Sequence, residues 1–124
     1  MAITHSTSNN ITKGKKGEDI AVDFLRENGY KILWRNYRYG RSEIDVICEK
    51  NATLIFVEVK LRTSNAFGFP EQAVNSKKEK LIRTAAEGYI YRYDWQKDIR
   101  FDIISIEVTQ PEKYFITHFE DVFT

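Results

Sequence analysis

Residues 53–62 read Thr-Leu-Ile-Phe-Val-Glu-Val-Lys-Leu-Arg and carry the strongest strand signal in the chain. Their β-branched and aromatic side chains predict a central strand. Because side chains alternate between the faces of a strand, Glu58 and Lys60 share a face that begins with apolar residues. Opposite charges on such a face are unfavourable to bury unless they are paired or ligated, so both are candidate site residues, with a surface ion pair as the alternative. The opposite face is predicted to be buried: Ile55, Val57, Val59 and Leu61.

The preceding strand is predicted at residues 43–49, and a short connection joins it to the central strand as an antiparallel hairpin. If Asn51 and Ala52 alone form the turn, paired residue numbers sum to 103 and Asp45 faces Glu58, with β-carbons about 5.5 Å apart. Facing carboxylates are destabilising unless a cation lies between them. A shift of one residue in register would separate the two, so the placement depends on the turn.

The remaining pattern predicts an α/β layer structure with a mixed sheet of about five strands flanked by helices. One helix is expected over residues 12–28, ending at Gly29, and another from residue 71 or 76 to residue 93. The buried stripe of this second helix is predicted to consist of Leu81, Ile82, Ala85, Ala86 and Tyr89. The other strands are expected at residues 31–37, at residues 100–108 in the sheet interior, and at residues 114–119 on an edge.

Length and composition predict one domain. The chain has 124 residues, of which we expect 1–11 to be a disordered leader and 12–124 to fold together. No run approaches the roughly 18 apolar residues of a membrane span, and no export signal is visible, so we expect a cytoplasmic protein without membrane contact. Cys48 is the only cysteine and is predicted to be a core residue. His5 and His118 are predicted to be ordinary surface residues.

Charge is unevenly distributed along the chain. Residues 42–59 carry a net charge of −3, between segments 11–41 and 60–100 that each carry +4. An acidic centre between basic arms suits a metal site beside a phosphate-binding surface, although a mixed surface charge is the alternative. Cations interleaved with Tyr37 and Tyr39, or placed on the strand and helix beside the site, are candidate nucleic-acid contacts. These are Arg35, Arg38, Arg41, Arg62, Lys77 and Lys80.

Glu18 lies at the edge of the apolar stripe of the first helix. It either complements the helix dipole or points at the same site as Glu58. Together with Asp45 and Lys60, these residues can converge near one end of the sheet. Carboxylates without histidine or thiolate partners favour a hard cation, Mg²⁺ or Mn²⁺. Gln72, just after Pro70, is a further candidate to face this site.

The ordered motifs resemble a known family. Asp45, twelve intervening residues and Glu58-Val59-Lys60 are similar to the PD-(D/E)xK signature of restriction-endonuclease-like nucleases. The chain resembles, more closely, the YraN family of small bacterial proteins with that fold. The resemblance covers residues 12–110 and rests on residues 14–18, 33–38, 43–45, 56–62 and 100–102. Ile44 replaces the proline of the signature, and Ser42 stands where the family usually has glycine.

The resemblance implies a three-layer restriction-endonuclease-like fold and a role for each matched residue. Asp45, Glu58 and the backbone carbonyl of Val59 would hold the metal, and Lys60 would activate or position the attacking water. Glu18 is similar to the helix-borne acid that completes the site in related Holliday-junction resolvases. Glu43 and Gln72 are candidates for the outer shell.

The expected function is therefore a metal-dependent DNA endonuclease, with branched DNA as one candidate substrate. The alternative is a non-catalytic nucleic-acid-binding module of a repair or uptake complex. A purely structural protein would require the four charged residues to be unrelated. A homodimer is expected if the substrate is a symmetric junction, but no stretch of sequence identifies a dimer surface.

Overall fold

The computed structural model describes residues 3–8, 17–63, 75–110 and 113–123. These form one sheet and two helices. In chain order the elements are β1 (Ile3–Ser8), α1 (Gly17–Glu27), β2 (Lys31–Tyr39), β3 (Ser42–Lys50), β4 (Thr53–Thr63), α2 (Ser76–Tyr93), β5 (Asp98–Gln110) and β6 (Lys113–Phe119).

The sheet is mixed and lies between the two helices. Its strand order is β1-β6-β5-β4-β3-β2, with β4 and β5 parallel and every other neighbouring pair antiparallel. Ile55 and Val57 of β4 belong to a buried cluster with α1, while Leu54 and Phe56 belong to a cluster with α2. Successive residues of β4 thus pack into two different cores, because the side chains of a strand alternate between its two faces. The predicted α/β class and its three layers are confirmed.

The hairpin between β3 and β4 has the predicted register. Its pairing runs from Lys50 opposite Thr53 to Val46 opposite Val57, so every paired number sums to 103. Asn51 and Ala52 have φ angles of 51° and 62°. Two successive left-handed residues are the requirement of a type I′ turn, which matches the twist of the strands that it joins.

Local signals at the helix ends explain where the helices start and stop. Gly29 follows α1 with a φ of 86°, a conformation that glycine adopts without steric cost. The Asn75 side chain caps α2 by accepting a hydrogen bond of 2.9 Å from the Lys78 amide. Of the two predicted helix starts, residues 71 and 76, the cap thus places the start at Ser76.

Several predictions were wrong at the sheet edges. Ile3–Ser8 is strand β1, antiparallel to β6, rather than part of a disordered leader. The sheet therefore has six strands, and β6 lies inside it, with β1 at the edge.

Two residues that were predicted to be buried are exposed. Leu61 and Leu81 are 55% and 41% exposed, so neither is a core residue. Leu61 lies near the end of β4, beyond the residues that pair with β3, and Leu81 lines an open pocket beside that strand.

His118 is buried rather than on the surface, because it belongs to a buried ionic network. Its Nε2 lies 2.7 Å from Oδ2 of Asp102, which is 2% exposed. Arg100 donates two hydrogen bonds of 2.9 Å to the same carboxylate and one to the Tyr30 hydroxyl, and the Asp121 amide donates another to Asp102. Asp102 is thus the shared acid of a buried salt-bridge network.

Burial alone would raise the pKa of Asp102. The hydrogen bonds from His118, Arg100 and the Asp121 amide outweigh that effect, so the pKa is lowered and the carboxylate stays ionised. Cys48 is buried as predicted, and burial raises the pKa of its thiol to about 12. The thiol is therefore a core group without nucleophilic character at neutral pH.

Candidate active site

Asp45 and Glu58 lie where the hairpin ladder ends. Beyond the pair Val46 and Val57, the Val59 amide donates a hydrogen bond of 2.8 Å to Oδ2 of Asp45 instead of to a backbone carbonyl of β3. Glu58 is only 8% exposed. Both carboxylates open into a pocket of about 400 Å³ between the sheet and the start of α2. The pocket is lined by Arg41, Ser42, Glu43, Asp45, Glu58, Asn75, Lys77, Lys78, Leu81 and Ile82.

The environment of the pocket, including the nearby Glu58 carboxylate, shifts the pKa of Asp45. Burial, and then repulsion by Glu58, raises the pKa of Asp45 to about 7, although the hydrogen bond from Val59 opposes the shift. A carboxylic acid in a cleft whose pKa is raised this far is typical of a functional site. The predicted meeting of Asp45 and Glu58 at one end of the sheet is therefore present in the structure.

Two lysines lie beside the Glu58 carboxylate. Nζ of Lys78 lies 2.5 Å from Oε1 of Glu58, and Nζ of Lys60 lies 3.8 Å from the same oxygen. Burial lowers the pKa of Lys60, and the neighbouring Lys78 ammonium lowers it further. Burial alone would also lower the pKa of Lys78, but its hydrogen bond to Glu58 outweighs burial and raises it. Lys60 is thus the more readily deprotonated amine of the two.

Sequence reasoning singled out Lys77 and Lys80 on α2 but did not place Lys78 in the site. A signal for Lys78 was available, because it lies four residues before Ile82. Residues four apart share a helix face, and Ile82 is buried against the sheet. Lys78 therefore points toward β4, whereas Lys77 and Lys80 are exposed.

Glu18 lies near this pocket but does not line it. It borders a separate depression of about 380 Å³ with Gly17, Asn36, Val59 and Leu61. Its charge contributes to the raised pKa of Asp45, after burial and Glu58. Within residues 3–8, 17–63, 75–110 and 113–123, no three His, Cys, Asp or Glu side chains converge closely enough to hold a metal ion. That Glu18 completes the site stays a prediction.

The other predicted residues fall into distinct places. Arg41, Glu43 and Lys77 line the pocket. Arg38 is paired with Glu43 at 3.3 Å, and Arg35 is paired with Asp19 at 2.5 Å. Lys80 is exposed on α2, and Arg62 is partly buried on β4. Gln72 lies outside the described residues.

From the raised pKa of Asp45 we predict how the stability of the metal-free protein depends on pH. Its pKa is about 7 in the folded chain against an ordinary value of 3.8, so the folded state binds the extra proton and stability falls as the pH rises from about 4 to 7. Asp45→Asn removes this penalty. We expect its urea midpoint in EDTA to exceed that of the wild type at pH 8 and the difference to shrink at pH 5. Asp98→Asn, at an exposed aspartate, is the control. A constant difference between the two pH values would contradict the assignment.

None of the helices in the described part of the chain is long and apolar enough to cross a membrane.

Comparison with known proteins gives consistent matches. The model of a family described as "Uncharacterised protein family UPF0102" matches residues 17–106, a range that contains Glu18, Asp45, Glu58 and Lys60. A UPF0102 protein of Cytophaga hutchinsonii is 48% identical over 96 residues, which cover 77% of this chain and 85% of the relative. A UPF0102 protein of Chlorobium phaeobacteroides is 43% identical over 116 residues, covering 89% and 91% of the two chains. One from Natranaerobius thermophilus is 42% identical over 118 residues, covering 93% and 99%.

Proposed function

This chain belongs to the uncharacterised protein family UPF0102, and we propose that it is a metal-dependent endonuclease that hydrolyses DNA phosphodiester bonds, including those of branched DNA. The single observation that carries the proposal is the pair of carboxylates, Asp45 and Glu58, which line one pocket with Lys78, while the Lys60 ammonium lies 3.8 Å from Glu58. Acids that can hold a metal ion, beside amines that can stabilise the charge on a phosphate, suit metal-assisted phosphodiester hydrolysis.

The chemistry of the pocket fits a hard divalent cation. Its donors are carboxylate oxygens, and burial, followed by repulsion from Glu58, raises the pKa of Asp45 to about 7. Lys78 already brings a positive charge to within 2.5 Å of Glu58, so the carboxylates accept a cation at this position. Asp45, Glu58 and the Val59 carbonyl would hold Mg²⁺ or Mn²⁺. When bound, the ion would lower the pKa of a water molecule and polarise the phosphate.

The residues of the chain then have separate roles. Lys60 orients the attacking water and, in the neutral amine form that its lowered pKa favours, accepts the proton of that water and becomes an ammonium. Lys78, whose pKa is raised, stays charged and neutralises the negative charge that develops on the phosphate. Arg41 and Lys77 on the wall of the pocket contact neighbouring phosphates of the strand.

The direct test is cleavage of four-way, flap, single-stranded and duplex DNA with Mg²⁺, with Mn²⁺ and in EDTA. We expect cleavage with either metal and none in EDTA. Lys60→Ala should lower the rate by about 100-fold or more, the usual contribution of general acid–base catalysis. Lys113→Ala, at an exposed lysine of β6, should cleave within a few-fold of the wild type. Cleavage that is unchanged in EDTA would refute the proposal.

Lys78 makes a prediction that does not depend on turnover. Because its ammonium competes for Glu58, Lys78→Met should bind Mn²⁺ roughly 10-fold more tightly than the wild type. Titration calorimetry or the Mn²⁺ resonance signal measures this, with Lys80→Met as the matched control on the same helix. Equal Mn²⁺ affinity in Lys78→Met and the wild type would contradict the assigned competition.

The second candidate is a DNA-binding module without turnover. It is favoured by the direct contact of Lys78 with Glu58, which neutralises one of the two carboxylates without a metal. Such a module should bind DNA with an affinity that falls steeply with salt, by a logarithmic slope of about 0.9 for each phosphate contacted. Salt-dependent binding combined with no cleavage in any metal would favour this candidate over the nuclease.

A further inference from the structure

A second, larger groove lies between the edge strand β2 and the C-terminal half of α2. Its volume is about 810 Å³. We call it the aromatic groove, since four of its lining residues are exposed aromatic side chains. It is lined by Trp34, Asn36, Tyr37, Arg38, Tyr39, Gly40, Thr84, Glu87, Gly88, Tyr91, Arg92 and Tyr93.

The rings of the aromatic groove are held in place by one another. The Trp34 ring lies 5.5 Å from the Tyr37 ring, at 90°, and 6.2 Å from the Tyr93 ring. Tyr93 in turn lies 4.6 Å from Tyr89, which is buried. Trp34 and Tyr93 are nevertheless 43% and 44% exposed. The groove thus offers ring faces whose orientation is fixed before any ligand arrives, which reduces the entropy lost on binding.

Gly88 allows the Tyr39 ring to lie against α2. A Cβ at this position would overlap the Tyr39 ring. Glycine inside a helix is less stabilising than alanine, and here it makes room for a ring that lines the groove. Tyr39 therefore depends on Gly88 for its place.

The charge of the aromatic groove suits an anionic ligand with flat apolar parts. Two arginines, Arg38 and Arg92, line it together with one acid, Glu87. The Arg92 guanidinium lies 5.7 Å from the centre of the Tyr93 ring. Rings for stacking and arginines for phosphates are the two components of surfaces that bind single-stranded nucleic acid.

The aromatic groove adjoins the carboxylate pocket. Arg38 lines the groove, Glu43 lines the pocket, and the two side chains are paired at 3.3 Å. Only the turn at Gly40 and Arg41 separates β2 from β3. A nucleic-acid strand with one phosphodiester at Asp45 and Glu58 therefore continues across Arg38 into the groove.

We propose that the aromatic groove binds unpaired nucleotides that flank the phosphodiester at the carboxylate pocket, by stacking their bases on Trp34, Tyr39 and Tyr93. The inference rests on the proposed nuclease function and narrows its substrate to DNA with a single-stranded segment beside the cleaved bond, as at a flap or a branch point. A blunt duplex keeps its bases stacked in the helix and cannot present them to these rings.

The test is binding in EDTA, where cleavage plays no part. Fluorescence anisotropy compares three labelled probes: a 12-nucleotide thymidine strand, the same backbone without bases, and a blunt 12-base-pair duplex. We expect the thymidine strand to bind more tightly than both others. Trp34→Ala should weaken its binding about 5- to 150-fold, the range for losing the stacking of one base, while binding of the baseless strand stays unchanged. Trp34→Phe should restore most of the affinity.

Further variants separate stacking from charge and from folding. Arg92→Ala should weaken binding of the thymidine and baseless strands alike, whereas Lys113→Ala, on β6 away from the groove, should change neither. Gly88→Ala should act like Trp34→Ala, because it displaces the Tyr39 ring. Tyr39→Ala keeps the test valid if Trp34→Ala does not fold, since Tyr39 is 46% exposed, and it should weaken binding of the thymidine strand but not of the baseless strand.

The result that overturns the inference is equal affinity for the thymidine and baseless strands, or a Trp34→Ala affinity that matches the wild type. Absence of oligonucleotide binding also overturns it. Because these measurements are made without metal, they are independent of the nuclease assignment. If cleavage depends on Mg²⁺ but the groove does not stack bases, only the inference about the groove is refuted. If the groove stacks bases but no cleavage occurs, only the nuclease proposal is refuted.

Discussion

Asp45→Asn is expected to lower the rate of Mg²⁺-dependent DNA cleavage by at least about 100-fold. Losing a residue that only orients a metal ligand already costs about 10- to 100-fold in metal affinity or activity, and Asp45 is proposed as a ligand itself. The asparagine amide still accepts the hydrogen bond from Val59, so the hairpin keeps its shape. The assay is single-turnover cleavage of a flap substrate at saturating Mg²⁺.

The control separates a lost ligand from a lost fold. Asp98→Asn, at an exposed position of β5, should cleave like the wild type. Asp45→Asn is expected to be at least as stable as the wild type at pH 8, because it removes a carboxylate whose ionisation is opposed by burial and by Glu58. Cleavage by Asp45→Asn within about threefold of the wild-type rate would show that Asp45 is not a metal ligand.

Asp102→Asn is expected to have the largest effect on stability. Removing one partner of a buried ion pair costs about 3–5 kcal/mol, since the remaining charge is left buried. Asp102 accepts hydrogen bonds from Arg100, His118 and the Asp121 amide, although Glu120, 3.0 Å from Arg100, retains part of the pairing. We therefore expect a loss of about 3 kcal/mol, or a fall in Tm of about 10 °C for a domain of this size.

The pH dependence of this effect has a defined direction. The pKa of Asp102 is lowered in the folded chain, so its contribution is fully present above the unfolded pKa of about 3.9 and is lost as the pH falls through the folded value. The difference between the wild type and Asp102→Asn should thus be largest near neutral pH and shrink in acid. Asp98→Asn on the same strand serves as the exposed control. A fall in Tm of less than 2 °C at pH 7 would contradict the structural role of the network.

Local sequence signals were sufficient for the centre of the fold. The hairpin register follows from a two-residue turn, Asn51 and Ala52, and from apolar residues that alternate on both sides of it. That register brings Asp45 beside Glu58, so the core of the candidate site could be predicted. The YraN-type family predicted from the ordered motifs is UPF0102, and the match of its family model over residues 17–106 confirms that prediction.

Features that depend on contacts distant in sequence could not be predicted in this way. His118 was predicted to be exposed because its partner, Asp102, lies sixteen residues away on a neighbouring strand. Residues Ile3–Ser8 have the composition of a polar leader, and only the free edge of β6 makes them a strand. The packing of Ile82 and Ala85 against the sheet sets the rotation of α2, and with it the contact of Lys78 with Glu58.

The aromatic groove was only half visible in the sequence. Tyr37, Tyr39 and Arg38 alternate with other cations on one strand, which indicates a nucleic-acid surface. Its second wall comes from Tyr91, Arg92 and Tyr93, some fifty residues later in the chain. These residues end a helix that the sequence predicts, but no local pattern predicts that they face β2.

A crystal of the protein soaked in Mn²⁺ tests the central claim most directly, because the anomalous signal of manganese locates the ion without reference to activity. We expect one anomalous peak in the pocket, within coordination distance of the Asp45 and Glu58 carboxylates, with Lys78 moved away from Glu58. The same soak of Asp45→Asn should give no peak there. A fully soaked wild-type crystal in which Lys78 still contacts Glu58 and no manganese lies between the two carboxylates would contradict the metal site and the hydrolase built on it.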